Sequence, residues 1–247
     1  MGAGAAPVEQ PMIKIRKSEE RGHGDRGWLN AHYSFSFADY YDPAYMGFSA
    51  LRVLNDDRIA PGKGFGPHAH RDMEIITYVL EGGLLHRDSM GEQHILVPNE
   101  VQTMSAGNGI VHSEFNASEK EPVHSIQIWI EPKTEDLAPS YQQIPFAPAE
   151  KRGRFRLLAA PEASKDEPAT IINQDARLYV AELEPGKTVK QALAAGRHAW
   201  VQVVRGKVSL NGQLLNEGDG AAISGEQELS VEGNGRLGGE ILLFDLP

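Results

Sequence analysis

Four side chains that can bind a metal occur as two closely spaced pairs in the first half of the chain. His68 and His70 follow a turn rich in glycine and proline and precede a run of strong β-formers. His112 and Glu114 form a second pair with the same spacing of two residues. Side chains two residues apart in a β-strand point to the same face of the sheet. Two such pairs on neighbouring strands would bring three imidazoles and one carboxylate around one point, which predicts a metal site.

Nitrogen and oxygen ligands of this kind suit a divalent transition metal. Imidazole and carboxylate groups bind Fe, Mn, Ni, Cu, Co or Zn and disfavour Ca or Mg. Cysteine is absent from the 247 residues, which excludes thiolate ligands, disulfides and cysteine nucleophiles. Four protein ligands on an octahedral ion would leave two positions for water, a substrate oxygen or O₂. We expect one such ion per chain, with Fe(II) as the first candidate.

The composition argues against several classes of function. A net charge of −10 and a pI of about 5.4 give a surface that repels phosphate backbones, so we expect no nucleic-acid partner. No apolar run reaches the roughly 20 residues that a membrane-spanning helix needs. Residues 1–11 lack the basic start and the continuous apolar core of a signal peptide. Together with the absence of cysteine, these features favour a cytoplasmic protein with no membrane partner.

The elements that must position the two pairs are predicted to be short β-strands. Alternating or β-branched runs recur between turns of Gly, Pro, Asn and Asp, and no amphipathic helix of convincing period occurs. Residues 12–17 are predicted as the first strand and residues 55–57 as a turn between two strands. Asn211-Gly212 is typical of a two-residue hairpin. Many short strands predict an all-β fold, either a sandwich or a barrel.

The two halves of the chain resemble each other in register. Residues 77–82 and 201–206 are both β-runs that end in a charged residue and glycine, and each precedes a hairpin. In this alignment, Ala192 and Ala194 take the places of the two histidines of the first pair. The second half therefore repeats the frame of the first half without its ligands, which predicts one metal site per chain.

A resemblance to a known family is carried by motifs around both pairs. Residues 62–82 resemble the first cupin motif, with one additional residue before the final glycine. The wider run, roughly residues 13–130, resembles the pirin family, and it looks closest to bacterial members assigned quercetin 2,3-dioxygenase activity. The matching segments are Arg21-Gly-His-Gly, Gly27-Trp-Leu, Phe35-Ser-Phe-Ala-Asp-Tyr-Tyr-Asp-Pro43, Met46-Gly-Phe, Leu51-Arg-Val, Asp88-Ser-Met-Gly91 and Ser105-Ala-Gly-Asn-Gly-Ile-Val-His-Ser-Glu114.

The resemblance implies two tandem cupin barrels of the jelly-roll, or double-stranded β-helix, type. We expect a flexible segment over residues 1–11 and a metal-binding N-terminal cupin domain over residues 12–131. Residues 132–154, where the composition shifts to Pro, Glu and Ala, are the predicted linker. The second cupin domain, without metal ligands, is expected over residues 155–247.

The same resemblance implies a site and an activity. The family pattern places the metal ligands on His68, His70, His112 and Glu114 and does not include Glu74. We expect Glu74 to hydrogen-bond to a ligand histidine instead. It implies a dioxygenase that opens a flavonol ring, such as that of quercetin, with O₂ and releases CO, with Glu114 as the catalytic base. The alternative is a metal- or redox-sensing regulator that acts through a protein partner, as is thought for pirin itself.

Overall fold

The chain folds almost entirely into β-strands. The structure, a computed structural model, describes residues 11–247, so the predicted flexible segment lies outside these residues except for Pro11. The described part contains 21 strands and two 3-10 turns, Ser18–Glu20 and Pro148–Glu150, and no α-helix. Between residues 11 and 247, no helix is long and apolar enough to cross a membrane. The prediction of an all-β fold is confirmed.

The first half of the chain forms a barrel of two facing sheets. Its strands, together with the first strand of the chain, are β1 (Met12–Arg16), β2 (Gly22–Asp25), β3 (Leu29–Tyr33), β4 (Leu51–Ile59), β5 (Gly64–His70), β6 (Glu74–Glu81), β7 (Leu84–Asp88), β8 (Gln93–Leu96), β9 (Glu100–Ser105), β10 (Ile110–Asn116), β11 (Val123–Ile130) and β12 (Ser140–Pro145). A seven-stranded sheet has the order β12-β9-β6-β11-β4-β3-β2, and a four-stranded sheet has the order β5-β10-β7-β8.

The second half forms another barrel with related connections. Its strands are β13 (Arg156–Ala160), β14 (Thr170–Ile171), β15 (Arg177–Leu183), β16 (Thr188–Ala192), β17 (His198–Leu210), β18 (Gln213–Asn216), β19 (Gly220–Ser224), β20 (Glu228–Gly233) and β21 (Gly239–Leu246). The 13-residue strand β17 serves both layers, because its first part pairs with β19 and β21 and its last part pairs with β18 and β20. Two tandem β-barrels were predicted, and two are present.

Two strands lie with partners that the sequence did not indicate. The strand predicted at residues 12–17 is present as β1, but it pairs with β19 of the second barrel, and Ile13 and Ile15 pack on that barrel's core. Strand β12 lies within the predicted linker, residues 132–154, and pairs with β9 of the first barrel. The first strand of the chain therefore belongs to the second barrel, and part of the predicted linker belongs to the first barrel.

The turn predicted at residues 55–57 is wrong. These residues belong to the continuous strand β4, which is hydrogen-bonded along its length to β3 on one side and β11 on the other. Pairing on both sides satisfies the backbone and overrides the turn preference of Asn and Asp. The predicted hairpin is confirmed, since Asn211 and Gly212, with φ of 45° and 82°, join β17 to β18.

The three interiors of the molecule differ in chemistry. The second barrel is filled with aliphatic side chains, among them Val203, Leu210 and Leu229. The largest apolar cluster lies between the barrels, where Trp200 packs on Phe35 with ring centroids 4.9 Å apart. The first barrel instead buries polar groups among its apolar residues. The candidate site lies in this barrel.

A buried ion pair joins the two barrels through the segment between them. The ammonium group of Lys151 donates to Oε1 of Glu240 on β21 at 2.8 Å and to the hydroxyl of Tyr78 on β6 at 3.1 Å. Tyr78 also donates to Glu240 at 2.6 Å. Both charged residues are buried, so each compensates a charge that would otherwise be costly to remove from water.

Replacement of Lys151 by methionine is expected to lower the free energy of unfolding by about 3 kcal/mol, because Glu240 is then left buried without its cation. The double variant K151M/E240Q should lose less, because no uncompensated charge remains. The matched control is K190M in the exposed pair Lys190–Glu228, where about 1 kcal/mol or less is expected. Urea unfolding measures all three, and equal losses for K151M and K190M would contradict the prediction.

Candidate metal centre

Three imidazole rings converge inside the first barrel. Strands β5 and β10 are antiparallel neighbours, and their register sets His68 directly opposite His112. The ring centroids are 4.4 Å apart for His68 and His112, 4.8 Å for His68 and His70, and 4.8 Å for His70 and His112. One nitrogen from each ring lies within 4.8 Å of the others. The three histidines of the two pairs therefore meet, as their spacing predicted.

The local sequence explains how β5 can carry two of these rings. This strand is at the edge of its sheet, where Pro67 costs no ladder hydrogen bond. The ladder between β5 and β10 shifts register between His112 and Glu114. Gly64 allows the close approach at this bulge, because a Cβ at that position would lie 2.2 Å from the carbonyl oxygen of Glu114. A larger residue there would push the two strands apart.

Glu114 is adjacent to the histidine triangle without being part of it. Its carboxylate forms a cluster with His112 and His86, and the potential ligand atoms of these three residues lie within 4.8 Å of one another. Gln127 of β11 donates to Oε2 of Glu114 at 2.8 Å, and the hydroxyl of Thr77 donates to Gln127 at 3.1 Å. The other carboxylate oxygen, Oε1, is buried without a hydrogen-bond partner. Glu114 is thus held in place through Oε2, and its Oε1 is available to bind a ligand.

His86 is a neighbour of the site that the sequence reading left among ordinary histidines. It lies on β7 opposite Glu114, and its ring centroid is 5.3 Å from that of His112. Its Nε2 bonds to Asp88 at 3.0 Å, and Gln102 donates to its Nδ1 at 3.2 Å. Both nitrogens of His86 are thus engaged, so this ring supports the site while it stays bound to Asp88 and Gln102. The sequence pattern that could have identified His86 is its spacing of two residues from Asp88, which repeats the spacing of the two ligand pairs.

The expected contact between Glu74 and a ligand histidine is wrong. Glu74 is buried, and its carboxylate accepts hydrogen bonds from Ser105 at 2.5 Å and from Asn173 at 3.2 Å. Asn173 belongs to the second half of the chain, so this carboxylate ties the two barrels together. Glu74 begins β6 and faces that junction, and the sequence did not reveal this orientation.

Burial sets the protonation of the site. Loss of solvation, reinforced by the neighbouring histidines, lowers the pKa of His112 to about 2, and burial followed by the effect of His68 lowers the pKa of His70 to about 4. Both rings are therefore neutral at pH 7 and can donate a lone pair. Burial raises the pKa of Glu114 to about 7, although Gln127 and Thr77 oppose this shift. A positive ion near Glu114 would favour its charged form.

The unpaired atoms at the site fit a divalent cation. His68 donates Nδ1–H to the carbonyl oxygen of Gly66 at 2.8 Å, which leaves the lone pair of Nε2 free. Both ring nitrogens of His112 and Oε1 of Glu114 are buried without partners. Such groups are costly to bury unless something binds them. Neutral imidazoles with one carboxylate are the donor set that transition metals prefer.

A small cavity adjoins the triangle. It has a volume of about 160 Å³, and part of its wall is aromatic, formed by Phe37, Phe65 and Trp129. Trp129 stands edge-on to His70, with centroids 4.9 Å apart. A larger cleft of about 650 Å³ lies between the barrels beside Lys151, and none of the three histidines of the triangle lines it. The smaller cavity is therefore the one that a ligand of the site would enter.

These features define a bicupin in which, among residues 11–247, the potential metal ligands cluster in the first barrel. Residues 14–130 match the family model described as Pirin, and residues 157–246 match the model described as the quercetinase C-terminal cupin domain. The chain belongs to the pirin family.

Relatives of known name and structure agree with this assignment. The quercetin 2,3-dioxygenase of Escherichia coli K12 is 46% identical over 236 residues, which cover 96% of this chain and 99% of the relative. A pirin-like protein of Caulobacter vibrioides is 45% identical, with coverage of 89% and 94%. The crystal structure of the E. coli pirin YhhW in complex with nickel(II) matches with a TM-score of 0.88 and 47% identity, covering 96% of this chain and 99% of that one.

Proposed function

We propose that this protein is a metal-dependent dioxygenase that opens the ring of a flavonol such as quercetin. The observation that carries the proposal is the set of buried, unpaired donor atoms on His112 and Glu114 beside an aromatic-walled cavity. The names of relatives that cover nearly the whole chain support the same activity. The ligands we propose are His68, His70, His112 and Glu114, and the metal we propose is Fe(II), with Mn, Ni, Cu, Co or Zn as alternatives.

The bound metal would supply Lewis-acid and redox chemistry between the flavonol and O₂. The residues of the chain position and activate the substrate. Oε1 of Glu114, the carboxylate oxygen without a hydrogen-bond partner, is the atom that would take the proton of the flavonol 3-hydroxyl. Gln127 holds the other oxygen of Glu114 in place. Phe37, Phe65 and Trp129 exclude water and offer ring faces to the substrate.

The overall reaction balances without another reactant. The flavonol and one O₂ give CO and a depside. A depside is an ester in which the carboxyl group of one phenolic acid is joined to a hydroxyl group of another. Two carbon–carbon bonds of the central ring break, and both oxygen atoms of O₂ enter the products. Substrate and O₂ are therefore the small-molecule partners that we propose.

Turnover with each candidate metal tests the proposal. Protein stripped with a chelator is loaded under anaerobic conditions with Fe, Mn, Ni, Cu, Co or Zn and mixed with quercetin, and air is then admitted. We expect loss of the flavonol absorbance only with metal and O₂, together with one CO for each quercetin consumed. Metal-free protein is the control for spontaneous oxidation, and its rates of quercetin loss and CO release are subtracted. If no metal supports O₂-dependent turnover, the proposal fails, and the regulator with a protein partner becomes the better hypothesis.

A further inference from the structure

Two polar side chains line the cavity from the side of strand β4. Asn55 and Asp57 are two residues apart, so both point to the interior of the barrel, whereas Asp56 between them points outward and bonds to His124. Asn55 and Asp57 are only 2% and 5% exposed. They lie on a central strand of the seven-stranded sheet, at the place where an apolar residue would normally pack.

Neither side chain is satisfied by the protein. The side-chain oxygen Oδ1 of Asn55 is buried without a hydrogen-bond partner. Within residues 11–247, the side chain of Asp57 forms no ion pair or hydrogen bond, while the neighbouring Asp56 binds Arg21 and His124. Buried polar groups without partners are rare in folded proteins, and each one calls for a specific explanation.

The second barrel shows which residues hold the same positions in a barrel filled with aliphatic side chains. The strand registers place Tyr179 and Ala181 of β15 where β4 has Asn55 and Asp57. They also place Leu243 of β21 where β11 has Gln127. Ala181 and Leu243 are part of the aliphatic core of that barrel. The fold therefore does not require polar groups at the positions of Asp57 and Gln127, and their presence in the first barrel needs a separate explanation.

The size of the cavity limits what these groups can meet. A volume of about 160 Å³ is close to that of an engineered cavity of about 150 Å³ that binds one benzene ring. The cavity thus encloses about one six-membered ring, and the rest of a larger ligand extends through its mouth. An acceptor such as Asn55 Oδ1 pairs with a hydroxyl group on that enclosed ring.

We propose that Asn55 and Asp57 are specificity-determining residues that form hydrogen bonds with hydroxyl groups on the enclosed aromatic ring of the substrate. This inference rests on the proposed function and narrows its substrate class to polyhydroxylated aromatic chelators. An unsubstituted ring would enter the same cavity but would leave both groups unpaired, and such a penalty strongly disfavours an analogue that lacks the hydroxyls.

A pair of flavonols separates ring recognition from metal chelation. Quercetin and 3-hydroxyflavone share the 3-hydroxyl and 4-carbonyl oxygens, but only quercetin has further ring hydroxyls. We expect wild-type protein to prefer quercetin by at least about tenfold in kcat/KM. N55V and D57V should each reduce this preference by about tenfold, mainly through a higher KM for quercetin, with little loss on 3-hydroxyflavone. The matched control is N30V on the exposed face of β3, which should leave the preference unchanged.

Anaerobic binding distinguishes failure of this inference from failure of the proposed function. Nickel-loaded protein is titrated with each flavonol without O₂, and the Kd ratio is measured for wild type, N55V, D57V and the milder variant D57N. A ratio that favours quercetin and collapses in the variants supports the inference even if no turnover occurs with any metal. Equal affinities in wild type, or equal losses on both flavonols in variants that remain folded, would overturn it.

Discussion

Replacement of His112 by alanine is expected to lower metal affinity by more than about 100-fold and to reduce activity to that of metal-free protein. Loss of a supporting partner of a ligand already costs about 10- to 100-fold, so loss of the ligand itself should cost more. His112 is the residue common to both groups of potential ligands, and both of its ring nitrogens are buried without partners. His68 and His70 lie on an edge strand and are only half-buried, so their single losses should be smaller.

Equilibrium dialysis with elemental analysis measures the metal, and the turnover assay measures the activity. The control is H94A, because His94 on β8 is 46% exposed and bonds only to Glu92. It should bind one equivalent of metal, the amount that we expect for wild type. An unchanged unfolding midpoint for H112A would show that the protein is intact, and wild-type metal content in this variant would refute the assignment of His112.

Replacement of Glu114 by glutamine is expected to lower kcat by about 10²- to 10⁴-fold while part of the metal binding remains. Glutamine has nearly the same shape and keeps an oxygen that can bind a metal, but it cannot accept the proton of a substrate hydroxyl. Gln127 should still hold the side chain, because its amide can donate to the new carbonyl oxygen. A variant with wild-type kcat would exclude Glu114 as the base.

The same variant should change the pH dependence of metal binding. In wild type, a proton must leave Glu114 when the metal binds, because burial raises the pKa of this carboxyl group to about 7. Affinity should therefore rise with pH up to about 7 and then level off. His70 and His112, with pKa values lowered to about 4 and about 2, are already deprotonated in this range. E114Q should show a shallower dependence when affinities are compared from about pH 6 to about pH 8.

Local patterns were sufficient to predict that His68, His70 and His112 meet, because this arrangement depends mainly on two antiparallel strands. A spacing of two residues fixes which side chains share a face, and the motifs fixed which strands meet. The all-β class and the hairpin at Asn211 and Gly212 follow from equally local rules. The cytoplasmic location and Fe(II) as the metal stay predictions.

The features that the sequence did not reveal depend on contacts between distant segments. Glu74 bonds to Asn173 of the second half, and a local reading contains no information on that partner. Asn55 and Asp57 have the composition of a turn, and only pairing on both sides of β4 makes them part of a strand. His86 was overlooked because its role depends on the pairing of β7 with β10.

The pairing of β1 with β19 affects how the protein is made. Arg16 pairs with Gly220, so the two partners leave the ribosome about 10 to 40 s apart at ordinary rates of synthesis. Until then β1 has no partner in its sheet, and the second barrel acquires its edge strand only after β19 has been synthesised. A gene cut between the barrels would yield a C-terminal fragment that lacks β1. In a circular permutant that starts after β12, β1 would instead follow the second barrel, with which it pairs, in the chain.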